Sequence, residues 1–67
     1  MTKTERLRSR IEAQEEVISR HEEKIEHERR KSTPTGGLIH HWEAEIRAAD
    51  EKIERLQRRL SALRRRG

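Results

Sequence analysis

Between residues 38 and 65 apolar side chains return at alternating intervals of three and four. Ile39, Trp42, Ile46, Ala49, Ile53, Leu56, Leu60 and Leu63 form the series, and Leu38, Ala44, Ala48 and Ala62 are the only other apolar residues of the segment. Four heptads with every a and d position apolar describe a helix that lays a seam against a partner helix. The first half of the chain repeats the pattern with gaps. Leu7, Ile11, Ile18 and Ile25 share an a/d track with the polar residues Gln14, His21 and Glu28, and Val17 flanks it. Glu, Arg, Lys, Gln and Ala fill most other positions, and all are good helix formers. Thr2 with Glu5 reads as a capping box that starts this helix near Lys3. Glu16–Arg20, Glu26–Arg30, Glu43–Arg47, Glu51–Arg55 and Glu54–Arg58 have the i to i+4 spacing that adds roughly 0.2–0.5 kcal/mol per pair.

The periodicity breaks at "KSTPTGG", residues 31–37. Thr33 precedes Pro34 and is pushed out of the α region, which ends the first helix near Lys31 or Ser32. Gly36 and Gly37 are expected to supply the backbone angles of the reversal. A connection of this length joins antiparallel neighbours. The expected structure is one all-α domain over residues 1–67, an antiparallel, coiled-coil-like two-helix hairpin. Its helices run over about 3–31 and 38–65 with a turn at 32–37. Proline followed closely by two glycines argues against a single unbroken helix.

Size now enters, because a chain of 67 residues without cysteine has neither a large core nor disulfides to support it. Helix 2 offers eight apolar seam positions and helix 1 answers with four, so the surplus calls for further helices. The simplest source is a second copy, with Leu7, Ile11, Ile18, Ile25 and the eight residues of the second track as the self-association seam. The expected assembly is a homodimeric four-helix bundle. Helices of another protein are the alternative cover.

Charge changes the picture more than composition does. Seventeen basic residues oppose 13 acidic ones, a net charge of +4. Residues 1–10 and 55–67, which the hairpin brings together, hold Lys3, Arg6, Arg8, Arg10, Arg55, Arg58, Arg59, Arg64, Arg65 and Arg66 against Glu5 alone. Residues 11–54 carry an acidic excess. An end so rich in arginine suits phosphate or carboxylate contacts and points to a DNA or RNA backbone bound without sequence readout. No helix-turn-helix spacing, zinc finger or aromatic stacking surface is present to read bases. Attraction between the basic end and the acidic middle of staggered chains is a second use of the same asymmetry.

Other chemistry has less support. His27, His40 and His41 take outward positions, adjacent histidines diverge by about 100° on a helix, and His41 with Glu45 is a weak ligand pair, so no metal is expected. His21, at a seam position, is a candidate register marker whose protonation would loosen a bundle that buried it. "TPTGG" lacks the Lys-Ser/Thr ending of a phosphate loop. Ser9, Ser19, Ser32 and Ser61 have no base and carboxylate placed with them. Catalysis, a cofactor and a small-molecule substrate are therefore not expected. No apolar run is long enough to cross a membrane, no signal-peptide core is visible, and Trp42 lies far from the arginines that would hold an anionic surface. The expectation is a cytoplasmic protein with no membrane partner.

In length and hairpin plan, and in the opening "MTK", the chain resembles the Rop class of small plasmid RNA-binding dimers. That resemblance implies two hairpins in a four-helix bundle. It carries no site residue onto this sequence.

Overall fold

Thr2 caps the first helix: its Oγ1 accepts from the Glu5 backbone N–H at 3.1 Å. In the computed structural model, which describes residues 2–66 except for the Arg66 side chain, α1 spans Lys3–Arg29 and α2 spans Gly36–Arg66. The two helices pack side by side as an antiparallel hairpin, and no strand occurs among the described residues.

The reversal differs from expectation. α1 stops at Arg29 and α2 already begins at Gly36, so the connection is Arg30–Thr35. Neither glycine adopts a positive φ, and a Cβ built on either would meet nothing within 4 Å. Gly36 and Gly37 are thus ordinary first-turn helical residues, and the chain turns through Ser32, Thr33 and Pro34 without a left-handed angle. Thr35 is the entry to α2, its carbonyl accepting from the N–H groups of Leu38 at 3.1 Å and Ile39 at 3.3 Å.

Glu28 holds that entry in place. Although charged, it is only 3% exposed. Its Oε2 accepts from the Thr35 backbone N–H at 3.0 Å and its Oε1 from Lys31 Nζ at 3.1 Å. The first turn of α2 has no acidic residue of its own, so Glu28 brings a carboxylate from α1 to the positive end of the α2 dipole. These contacts hold its carboxyl below the ordinary glutamate range, the Thr35 N–H being the largest cause and Lys31 the next. The polar gap at the end of the α1 track is a turn clamp.

The seam between the helices follows the a/d tracks, but covers them unevenly. Leu7, Ile25 and Ala49 are buried. Ile11 and Ile18 on α1, and Ile39, Trp42, Ile46, Ile53, Leu56, Leu60 and Leu63 on α2, stay half-buried. Leu38 is 42% exposed. The Cα trace measures 54 × 17 × 11 Å, with a radius of gyration of 15.6 Å against about 11 Å for a compact chain of this length. Its accessible surface is 5542 Å², whereas a compact monomer of this mass exposes about 4,500 Å². Two helices alone leave much of the seam wet.

Candidate nucleic-acid interface

Antiparallel packing sorts side chains by heptad position, so residues at g and c on both helices rise on one broad side of the seam and those at e and b on the other. Two observed pairs fix the sides. Arg29 and Glu43, both at e, approach to 4.0 Å on one, while His21 at d meets Glu45 at g toward the other.

On the g/c side, two adjoining open clefts share Arg10 and Arg59. The first, of about 450 Å³, is lined by Lys3, Arg6, Leu7, Arg10, Arg59, Ala62 and Leu63. The second, of about 550 Å³, is lined by Arg10, Ala13, Gln14, Lys52, Arg55, Leu56 and Arg59. Together they form a trough with an apolar floor and six cations on its rims, and no carboxylate lines either cleft. None of the six forms an ion pair among the described residues.

The expected basic end is therefore only partly one surface. Lys3, Arg6, Arg10, Arg55 and Arg59 converge in the trough. Arg8 and Arg64 occupy e positions on the opposite side, and Arg58 and Arg65 take outer f positions, Arg58 lying 3.9 Å from Glu54. The Arg66 side chain is outside the described residues. Lys52, which a count by sequence ends omits, joins the trough because it occupies a g position level with Arg10 and Gln14. Heptad bookkeeping, applied to charges as well as to apolar residues, is the signal that finds it.

Glu45 is the one acidic residue at a g or c position, and it is engaged by two histidines. His21 Nε2 binds its Oε2, and His41 Nε2 lies 2.9 Å from its Oε1. The His21 hydrogen bond, followed by the His41 charge, holds the Glu45 carboxyl below the ordinary range against the opposing effect of burial. His21 Nδ1 lies 2.8 Å from the Val17 carbonyl. The His21 ring thus bridges the two helices, from the Val17 carbonyl of α1 to the Glu45 carboxylate of α2.

The e/b side differs in character. One cleft there, of about 550 Å³, is lined by Glu22, Ile25, Glu26, Arg29, Glu43, Ile46 and Arg47. Of the five expected i to i+4 pairs, Glu16–Arg20 and Glu26–Arg30 form at 2.6 Å and Glu54–Arg58 at 3.9 Å. Glu43 turns instead to Arg29 across the hairpin, and Glu51–Arg55 does not close among the described residues. No group of three or more histidine or acidic side chains converges as a metal site among the described residues, and no helix there is long and apolar enough to cross a membrane.

Comparison with known protein families finds no matching model, and neither a curated protein nor a solved structure is significantly similar to the chain.

Proposed function

We propose that this hairpin is a non-enzymatic, self-associating protein whose cationic trough binds the phosphate backbone of DNA or RNA without reading its sequence. The observation that carries the reading is the trough itself: Lys3, Arg6, Arg10, Lys52, Arg55 and Arg59 face solvent with no carboxylate among them. Unpaired surface cations release condensed counterions from a polyanion, which drives salt-dependent association. The half-buried seam and excess surface support self-association, a second copy completing a four-helix bundle.

The test is fluorescence anisotropy with duplex DNA and with structured RNA across a salt series. Replacing Arg10, Lys52 and Arg59 with Ala should weaken binding and flatten the log–log salt slope by about 3, close to one per lost phosphate contact. Replacing Arg58 and Arg65, which lie off the trough, should change the slope much less. Equal effects from the two sets, or no salt-dependent binding of either nucleic acid, count against the reading.

A protein-interaction module is the second reading, and the uneven seam favours it. Its helices would dock on the half-buried α2 track, with Ile53, Leu56 and Leu60 as anchors. Under it, the arginine replacements leave partner binding intact and Leu60→Asp abolishes it.

A further inference from the structure

The two broad sides of the rod carry opposite charge. At g and c positions, cations are offset by Glu45 alone, which His21 and His41 already engage. At e and b positions the balance reverses. Glu12, Glu15, Glu22, Glu43, Asp50 and Glu54 are among eight carboxylates there, against the four arginines Arg8, Arg29, Arg47 and Arg64. The linings of the clefts repeat the contrast: six cations and no acid on one side, three glutamates and two arginines on the other.

This polarity bears on how copies meet. A two-fold contact sets the same patch of each chain against itself. Trough on trough would place Lys3, Arg6, Arg10, Lys52, Arg55 and Arg59 of one copy against the same six of the next, and like charges across an interface oppose association. Joining the two carboxylate-rich sides is unfavourable in the same sense. Trough on carboxylate-rich side is the one pairing with complementary sign. Each broad face has a 54 × 17 Å outline, about 900 Å², which matches the roughly 800 Å² per partner of a standard interface. Such a contact also covers the half-buried residues Leu56 and Leu63 of one copy and Ile46 of the next.

We propose that copies of this chain stack front to back, the cationic trough of one seated on the carboxylate-rich side of the next. The proposal rests on the self-association half of the functional reading. The contact is heterologous, so two joined hairpins still present one free basic and one free acidic side, and further copies add to both. A polyanion competes for the same trough, so nucleic acid dissolves the stack.

Sedimentation equilibrium without nucleic acid tests this. At about 20 mM salt the average mass should climb past two chains as concentration rises. At about 0.5 M salt, where surface charges are screened, it should fall toward one or two. Arg10→Glu with Arg59→Glu sets two carboxylates among the four cations left in the trough, and Glu22→Lys with Asp50→Lys brings the opposite side from eight carboxylates against four arginines to six acids against six bases. All four residues are exposed and outside the ion pairs among the described residues, and helicity at 222 nm verifies folding. Each variant alone should fall short of the unsubstituted chain's mass, and an equimolar mixture, in which the intact trough of one meets the intact carboxylate-rich side of the other, should exceed either component. A mass fixed at two chains under all conditions, or a mixture no larger than its components, overturns stacking and leaves a closed dimer. A single chain throughout overturns self-association as well, while backbone binding is decided separately by the anisotropy series.

Discussion

Glu28 sits where the heptad track calls for an apolar side chain, yet its carboxylate does what no leucine can. It supplies the acceptor for the Thr35 N–H, holds Lys31 and places a negative charge at the start of α2. Glu28→Leu completes the apolar track but removes the Thr35 N–H acceptor, the Lys31 partner and the negative charge at the start of α2, and their loss outweighs a modest apolar gain. The expected result is a lower Tm by circular dichroism, with hydrogen exchange accelerated at Thr35 and the residues after it. The glycines behave in the opposite way. Gly36 and Gly37 are helical, with negative φ and open space where a Cβ would stand, so Gly→Ala removes only unfolded-state freedom. Each replacement should stabilise by about 0.4–1 kcal/mol. The pair should raise Tm by several degrees, and a fall would show that the turn needs glycine.

The helices themselves were legible because periodicity and propensity agree along most of their length. α1 begins where Thr2 and Glu5 indicate, and loss of that cap in Thr2→Ala should cost about 1 kcal/mol, or about 4–8 °C in Tm for a domain of this size. Both a/d tracks lie on the seam. Element ends were less legible, and for a physical reason. Proline and glycine announce a turn without saying which residue makes it, and the decisive bond joins Glu28 to Thr35, seven positions apart. Nothing in a local pattern distinguishes that glutamate from the solvated ones around it. The trough was half legible. A count along the chain finds the excess of arginine near the ends, but helical register decides which arginines share a face. It brings Lys52 in and sends Arg8, Arg58, Arg64 and Arg65 elsewhere.

For the whole molecule, the ties between the helices outside the apolar seam are electrostatic, and their pH dependence has a definite sign. Glu28 and Glu45 both have carboxyls held below their ordinary range in the folded state. Each therefore binds protons more readily when unfolded. Their contribution is fully present above the ordinary glutamate value of about 4.3, and is lost as pH falls through the lower folded values. Urea midpoints should be level on the carboxylate account from pH 7 to 5 and drop below about pH 4. Glu28→Gln should make the acid limb shallower. An acid limb unchanged in that variant would show that the turn clamp is not coupled to folding.

Trp42, half-buried at the second seam position of α2, is the sole aromatic residue of the chain. It stands beside the turn, 17 positions and about 26 Å along the helix from Arg59. Tryptophan emission therefore observes one end of the rod. Opening of the Arg30–Thr35 connection should shift its spectrum, whereas a polyanion settling into the trough should leave it nearly still. Unfolding can therefore be followed in one unlabelled sample with or without a bound polyanion, because the chain carries its only lamp at the end away from the trough.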